Sequence, residues 1–418
     1  MRKYPLRHVL ERAGELRKTG GRSTTLLGIG PMSEYVIKAS LELGKEKNFP
    51  LMFIASRNQI DSASLGGGYV RGWDQIGFAG GIAAIASETG FDGLYYLCRD
   101  HGGPWQRDNE RNSKLPEDEA MELCRQSYLA DLLAGFDLLH IDPTKDPHIS
   151  GPIPIETVIN RTVGLIRYVE SERIQRGLPP VDYEVGTEET SGGLTSEGAY
   201  EAFIIELNKR LATEGLPAPC FIVGQTGTLV RMTENVGRFD ADTARRLSDT
   251  ARKFGMGLKE HNADYLSDGA LLTHPVIGLA AANVAPEFGV AETEGYLMLA
   301  EVEREAKRLG VIREASGFTS CIREAAVRNQ RWRKWMVGDA GSLPLDVVLN
   351  DGPLTDIITS SSGHYTFEND EVKRELGVMS ANLRACGIDP ERVVIDRIKH
   401  SIGRYVDCFG LSGLTPEL

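Results

Sequence analysis

The chain has 418 residues, a formal net charge of −12 at pH 7 and 41% hydrophobic residues. An acidic surface repels polyanions, so this charge excludes nucleic acid as a partner of the surface as a whole. The length suits one large barrel with an extension. The first 18 residues alternate charged and apolar side chains, which predicts neither a signal peptide nor a membrane span. We therefore expect a cytoplasmic protein without a membrane partner.

From residue 24 onward, short apolar segments alternate with longer helical patterns. Each apolar segment ends in polar or glycine residues, as expected of a buried strand followed by a loop. The strand candidates lie at 24–30, 51–59, 93–101, 138–146, 182–190, 220–228, 257–265 and 279–289. Eight strands separated by helices predict an α/β fold, the closed (β/α)8 TIM barrel. An open doubly wound sheet is the alternative, but GIGPMS lacks the third glycine of a dinucleotide-binding fingerprint.

The pattern becomes mostly helical after residue 290. Several amphipathic segments follow, and they flank a polar, turn-rich stretch with the sequence GPLTDIITSSSGHYTF. We therefore predict a barrel over residues 1–290 and a helical extension over residues 291–418 that packs on the barrel or on a partner subunit.

Polar side chains recur at the carboxyl ends of the predicted strands, which meet at one mouth in a barrel. His140 follows the same rule, but it lies inside an apolar segment and is interpreted as a core residue. The other residues that the rule brings to the mouth include Asn58, Gln59, Asp100, His101, Asp142, Lys145, Glu184, Glu188, Gln225, His261, Asp264 and Asn283.

Two of these residues, His101 and His261, could hold a divalent metal ion together with neighbouring carboxylates. Imidazole and carboxylate ligands suit zinc, manganese, cobalt or nickel. The alternative is a hydrogen-bonded network of histidines and acids that only orients a substrate. Because the residues are far apart in the sequence, no local ligand motif decides between the two.

Two further motifs bear on anion binding. SLGGGY at 64–69 could wrap a phosphate, although glycine-rich loops are more often mobile lids. RWRKWM at 331–336 interleaves three cations, Arg331, Arg333 and Lys334, with two tryptophans. For it we favour an amphipathic helix with a tryptophan core face over a phosphate clamp. No GxxxxGK[ST] motif occurs, which argues against a P-loop kinase.

Several segments together resemble one known family. They are SRNQID, GGGY, RDHGGPW, HIDPTKD, YEVGTEE, GLKEHNADY, WRKWM and SSSGHY, in order along nearly the whole chain. The family is that of the non-catalytic, or Z-type, subunits of tagatose-bisphosphate aldolase, some members of which are called tagatose 6-phosphate kinase. The resemblance implies a barrel related to class II, zinc-dependent aldolases with a helical C-terminal extension.

The resemblance also implies a ligand set. His101, Glu188 and His261 match the metal-binding positions, with Glu184 as a second possibility for the carboxylate. Class II aldolases place a metal histidine after the sixth strand, where this chain has Gln225. This departure implies that a three-histidine zinc site is unavailable. Either a carboxylate replaces the missing ligand, with Gln225 as a weak partner, or the metal site is weakened or absent.

Two functions occur in the family. Some members are metal-dependent 4-epimerases of a ketose or ketose 6-phosphate, and others stabilise a separate catalytic class II aldolase. C4 of a 2-ketose is not adjacent to the carbonyl, so its inversion requires cleavage of the C3–C4 bond and re-addition. In this hypothesis the proton carriers are Asp100, Asp142 and Asp264, with Glu188 as a further catalytic candidate. The groups expected to hold hydroxyls or phosphate are Asn58, Gln59, Lys145, Gln225 and Asn283.

We predict a divalent-metal-dependent isomerase that interconverts fructose 6-phosphate and tagatose 6-phosphate. The alternative is a non-catalytic subunit whose partner is a class II aldolase, and a sugar-phosphate kinase is the third possibility. We also expect a homo-oligomer.

Overall fold

The computed structural model describes residues 4–186 and 194–418. Eight parallel strands form a closed barrel in the order β1-β10-β9-β6-β5-β4-β3-β2. The strands are β1 (Leu26–Ile29), β2 (Leu51–Ser56), β3 (Tyr95–Gly102), β4 (Leu138–Ile141), β5 (Asp182–Gly186), β6 (Phe221–Val223), β9 (Gly257–Glu260) and β10 (Ala281–Val284); β7 (Val230–Arg231) and β8 (Glu234–Asn235) form a small hairpin outside the barrel. The predicted (β/α)8 barrel is confirmed, since every predicted strand segment coincides with one barrel strand, although β3 ends one residue beyond its segment, at Gly102.

Helices separate the strands and continue to the end of the chain. They are α1 (Leu6–Lys18), α2 (Glu34–Lys47), α3 (Gln75–Thr89), α4 (Asp108–Asn112), α5 (Glu117–Leu133), α6 (Ile155–Gln175), α7 (Glu197–Thr213), α8 (Ala241–Lys253), α9 (Asp268–Ile277), α10 (Pro286–Arg308), α11 (Phe318–Asn329), α12 (Leu345–Asn350), α13 (Gly352–Ser362), α14 (Asp370–Ala385) and α15 (Pro390–Cys408). Within the described ranges, none of them is both long and apolar enough to cross a membrane.

Local sequence explains where the strands and helices begin and end. The barrel strands are almost wholly buried, so they are near-continuous apolar runs, as parallel strands covered by helices require. Several helices begin after a residue whose side chain caps the first turn. Ser33, Asp74 and Asp240 each accept a hydrogen bond from the backbone N–H three residues later.

The barrel and most of the C-terminal helices share one hydrophobic core. Helix α15 packs against α2 and α10, and its Arg392 donates to Glu42 of α2 at 2.8 Å. The boundary that the sequence placed at residue 290 falls inside α10, which packs on the barrel as its eighth helix. We call residues 309–418, which follow α10, the C-terminal segment.

A second, smaller core lies inside the C-terminal segment. Trp332 is 0% exposed there and packs with Val327, Val348 and Ile358. Its indole N–H donates to the backbone carbonyl of Val327 at 2.8 Å. This core anchors the 3₁₀ turn Arg331–Trp335, so the remaining side chains of the turn have a fixed support.

Candidate functional site

A pocket of about 420 Å³ opens at the carboxyl ends of the barrel strands. Its volume falls in the range of small-molecule sites. We call it the mouth pocket. Of the residues predicted from the sequence, those that line it are Asn58, Gln59, Asp100, His101, Lys145, His261, Asp264 and Asn283. A larger pocket, of about 740 Å³, lies beside α11 and α14, but its described lining contains no histidine, so the mouth pocket is the better candidate for chemistry.

Three histidine rings lie close together, and two of them, those of His101 and His261, line the mouth pocket. His101 lies on β3, His140 on β4 and His261 just after β9, and their ring centroids are 4.7–5.3 Å apart. One nitrogen of each lies within 4.8 Å of the others. We call these residues the imidazole cluster. From the sequence we expected two histidines here, and His140 adds a third imidazole on the neighbouring strand β4.

Two rings of the imidazole cluster, those of His101 and His261, are each held by a carboxylate. Nδ1 of His101 lies 2.6 Å from Asp142 Oδ2, and Nε2 of His261 lies 2.8 Å from Glu184 Oε1. A hydrogen bond from one ring nitrogen to a carboxylate is the usual support of a metal-binding histidine, because it fixes the ring and its tautomer. The opposite nitrogens, His101 Nε2 and His261 Nδ1, are 3.1 Å apart.

The donor set fits a divalent ion such as zinc. Two nitrogens at about 2.0–2.1 Å from one tetrahedral metal lie roughly 3.3 Å from each other, close to the observed separation of the His101 and His261 nitrogens. A second possible donor set contains Asp100, His140, Glu184 and His261. Neutral imidazole and carboxylate donors are the ligands that zinc, manganese, cobalt and nickel accept.

His140 differs from the other two histidines. Burial lowers its pKa to about 4, so its imidazole is neutral at pH 7 and keeps a lone pair. Its Nδ1 already accepts the backbone N–H of His101 at 3.2 Å, and as a ligand through Nδ1 it would lose this bond. His101 and His261 are therefore the better donors.

Two buried acids keep their negative charge beside the imidazole cluster. Glu184 is 0% exposed, and burial alone opposes its ionisation. Lys259, whose Nζ lies 2.5 Å from Glu184 Oε2, and the neighbouring histidines outweigh burial and hold its pKa well below the usual range. For Asp142, hydrogen bonds from His101 and Thr144 likewise outweigh burial and lower the pKa. Both carboxylates therefore remain acceptors for the rings at all physiological pH values.

Asp264 has the opposite electrostatics. Burial raises its pKa to about 7, even though Oδ1 accepts the backbone N–H groups of Ala285 and Glu287 at 3.0 and 2.9 Å. A carboxyl group on the pocket wall that titrates near neutrality suits general acid–base catalysis.

Asp100 and Asn283 form a pair on the pocket wall. Nδ2 of Asn283 donates to Asp100 Oδ1 at 3.1 Å, while Oδ1 of Asn283 is buried and has no hydrogen-bond partner within the described ranges. Gly28 makes room for this amide, since a Cβ at residue 28 would lie 2.2 Å from Asn283 Oδ1. The amide oxygen is thus available to a ligand hydroxyl.

Asn58 and Gln59 line the pocket and also hold its loops. The Asn58 amide donates to the backbone carbonyl of Gln106 at 3.2 Å, and Gln59 Oε1 accepts the N–H of Ser56 at 2.8 Å. Gln225 is buried and is bonded through its backbone to Thr195, and it is absent from the described lining of the pocket. The predicted ligand Glu188 lies outside the described residues.

Four cations that line the mouth pocket were not among the predicted site residues, namely Arg111, Arg231, Arg331 and Lys334. His140, which was interpreted as a core residue, was not among them either. RWRKWM was the available signal for two of the four cations. Its tryptophan-core interpretation holds for Trp332, yet Arg331, Lys334 and Trp335 of the same turn face the mouth pocket.

The fold recurs in solved structures. A probable tagatose 6 phosphate kinase from Sinorhizobium meliloti 1021 aligns with a TM-score of 0.71 and 20% identity over 93% of this chain and all of that chain. The YdjI aldolase of Escherichia coli K12 aligns with a TM-score of 0.50 and 12% identity over 99% of this chain and 100% of that chain. Fructose-bisphosphate aldolase from Campylobacter jejuni aligns with a TM-score of 0.53 and 12% identity over 98% of this chain and 96% of that chain.

These likenesses establish the fold alone, and no curated protein matches the sequence significantly. The family assignment comes from a family model, GatZ/KbaZ-like D-tagatose-1,6-bisphosphate aldolase subunit, which matches residues 12–388. It confirms the resemblance seen in the sequence motifs. The chain belongs to the GatZ/KbaZ-like family of D-tagatose-1,6-bisphosphate aldolase subunits.

Proposed function

We propose that this protein catalyses the divalent-metal-dependent 4-epimerisation of a ketose 6-phosphate, with fructose 6-phosphate and tagatose 6-phosphate as the pair. The observation that carries the proposal is the imidazole cluster, in which Asp142 and Glu184 hold the rings of His101 and His261 at 2.6 and 2.8 Å. A subunit that only stabilises a partner gains nothing from histidines and ionised acids buried together, because burying polar and charged groups costs free energy that apolar side chains would not cost.

In this proposal His101 and His261 hold the metal, with His140, Asp100 or the predicted ligand Glu188 completing the set. A bound divalent ion supplies Lewis-acid polarisation of the substrate oxygens. Asp142 and Glu184 position the two rings, and Lys259 keeps Glu184 charged. Asp142 is thus a positioning residue here instead of a proton carrier.

Proton transfer falls to Asp264 and Asp100. A base removes the proton of the 4-hydroxyl while the C3–C4 bond breaks, which gives an aldehyde at C4 and an enediolate over C2 and C3, whose negative charge lies on the 2-oxygen. After the aldehyde rotates, C3 attacks its other face and the proton returns to the new 4-oxygen. Asp264, with its pKa of about 7, can accept and return a proton near neutral pH. Asp100 serves the second face, held by Asn283.

Contacts to the substrate hydroxyls come from amides on the pocket wall. Asn283 Oδ1, which has no partner within the described ranges, accepts from a hydroxyl. Asn58, Gln59 and Lys145 line the same pocket and bind the remaining polar groups. These contacts hold the two halves of the cleaved sugar so that re-addition precedes release.

The test is to incubate the purified protein alone with fructose 6-phosphate and Zn²⁺, Mn²⁺, Co²⁺ or Ni²⁺ and to assay tagatose 6-phosphate. We expect conversion that a chelator abolishes and added metal restores. Absence of conversion with every metal overturns the proposal.

The family description favours a second candidate, a non-catalytic subunit of a class II tagatose-bisphosphate aldolase, because it names an aldolase subunit. This candidate predicts no turnover by the protein alone. It also predicts a higher melting temperature and a longer active lifetime of a class II aldolase when the two proteins are mixed. The two assays together distinguish the candidates, since each gives a positive result for only one of them.

A further inference from the structure

The mouth pocket carries an excess of positive charge in an acidic protein. Its lining contains five Lys and Arg side chains and three Asp side chains, whereas the whole chain has a net charge of −12. A cleft of one sign inside a surface of the other concentrates ligands of opposite charge. The pocket therefore favours a ligand with an anionic group.

Three of these cations surround a single acid. Nη2 of Arg111 lies 2.5 Å from Asp108 Oδ1, and Nζ of Lys334 lies 3.4 Å from Asp108 Oδ2. Burial opposes ionisation of Asp108, but the charges of Lys334, Arg111 and Arg331 outweigh it and lower its pKa. We call Arg111, Arg331 and Lys334 the cationic cluster. One carboxylate neutralises only one of its three charges.

Two tyrosine rings pack against the guanidinium group of Arg331. Its guanidinium carbon lies 4.7 Å from the ring centroid of Tyr69 and 5.3 Å from that of Tyr365. The two rings meet edge to face, with centroids 4.9 Å apart. Tyr69 ends the glycine-rich SLGGGY loop, and Tyr365 belongs to the C-terminal segment. Cation–π contacts of this kind orient a guanidinium without using its N–H donors.

The N–H donors of the Arg331 guanidinium remain available to a ligand. Within residues 4–186 and 194–418, Arg331 makes neither a hydrogen bond nor an ion pair. Arg333, two residues further on, differs in this respect, because its Nη1 donates to the backbone carbonyls of Gly341 and Leu343 at 2.7 and 2.9 Å. A planar guanidinium with a free edge on a pocket wall matches the two-point geometry of a phosphate.

We propose that Arg331, assisted by Lys334 and Arg111, binds the terminal phosphate monoester of the sugar whose other end lies at the imidazole cluster. The C-terminal segment thereby sets the specificity of a barrel site for phosphorylated over free ketoses. The proposal rests on the proposed function for the identity of the sugar, but not for the binding of the phosphate.

The experiment is calorimetric titration of the full-length protein with fructose 6-phosphate, fructose and inorganic phosphate. The variants are Arg331→Gln, which removes the positive charge, and Arg331→Lys, which keeps the charge but loses the paired N–H donors of the guanidinium. Arg328→Gln is the matched control, because Arg328 is an exposed arginine of α11 paired with Glu324 outside the mouth pocket. Thermal unfolding of each variant reports whether the fold is retained.

We expect Arg331→Gln to weaken fructose 6-phosphate binding by about 10- to 100-fold, the loss typical of a charge-assisted contact. Arg331→Lys should fall between it and the wild type, and Arg328→Gln should equal the wild type. Weak binding of free fructose should not change in any variant.

Three results overturn the proposal. They are binding by Arg331→Gln within twofold of the wild type, an equal loss for fructose and fructose 6-phosphate, and no binding of either phosphate compound by the wild type. If fructose 6-phosphate binds in a way that depends on Arg331 but is not converted, the phosphate site is supported and the proposed epimerase activity is rejected. If Arg331→Gln converts fructose 6-phosphate with an unchanged KM, the epimerase activity is supported and the phosphate site is rejected.

Discussion

The two ends of the mouth pocket are built in different ways. The imidazole cluster stands on barrel strands or just after them, and buried carboxylates fix its rings through short hydrogen bonds. The cationic cluster combines a short helix after β3 with a 3₁₀ turn of the C-terminal segment, and aromatic faces hold its central arginine. Rigid strands suit a metal site, which tolerates little error in ligand position.

The comparison suggests a division of labour. If our proposals are correct, the barrel supplies the chemistry and the C-terminal segment supplies the preference for a phosphorylated substrate. Changes at one end should then leave the other end unaffected.

His101→Ala should remove the metal and lower epimerase turnover by about 100-fold or more, since it deletes a ligand and exposes Asp142 to an empty space. Metal content by plasma mass spectrometry and the rate of tagatose 6-phosphate formation measure the two effects. Binding of inorganic phosphate should stay at the wild-type value. His400→Ala, at an exposed histidine of α15, is the control, and full turnover by metal-free His101→Ala contradicts the metal assignment.

Asp264→Asn should lower turnover by about 100- to 10,000-fold, the usual contribution of a general acid–base residue. The amide oxygen can still accept the N–H groups of Ala285 and Glu287, so the start of α10 should persist. Steady-state kinetics should place the loss in kcat while metal content stays unchanged. If Asp264→Asn keeps the wild-type kcat, another residue transfers the proton.

Asp142→Asn should weaken metal affinity by roughly 10- to 100-fold, the range found when the acceptor of a ligand histidine is altered. Titration of the chelator-treated protein with Zn²⁺ measures the change. The control is Asp118→Asn, which alters an exposed acid of α5. If Asp142→Asn and Asp118→Asn bind Zn²⁺ with equal affinity, Asp142 does not position His101 for metal binding.

The smallest predicted effect is on stability against pH. Because burial raises the pKa of Asp264 from 3.8 to about 7, folding favours its protonated form. The stability this adds is complete below pH 3.8 and is lost as the pH rises through 7. Asp264→Asn lacks this titration, so its melting temperature relative to the wild type should rise between pH 5 and pH 8. A difference that stays constant over that range rules out a raised pKa.

Local patterns were enough to predict the barrel. Each strand is a short apolar run with a polar end, and the eight runs are separated by amphipathic segments, so their number and order can be read without tertiary information. The same logic placed Asp100, His101, His261 and Asn283 at one mouth, since parallel strands of a barrel end on one side. The mouth pocket contains all four.

The position of His140 shows why local patterns could not predict the whole imidazole cluster. An apolar neighbourhood is typical of a buried residue but does not say which face of the strand the side chain occupies. The register of β4 against β5 pairs His140 with Glu184, and only this pairing brings its ring to the imidazole cluster.

The sequence by itself determined the α/β class, the eight strands, the helical C-terminal segment and the family, because these depend on periodicity and on motifs that are contiguous in the chain. Only the tertiary structure decided that His140 joins the imidazole cluster and that Arg331 lines the mouth pocket. Both facts depend on contacts between distant parts of the chain, such as Arg331 with Tyr69. No local pattern encodes which distant segments will meet.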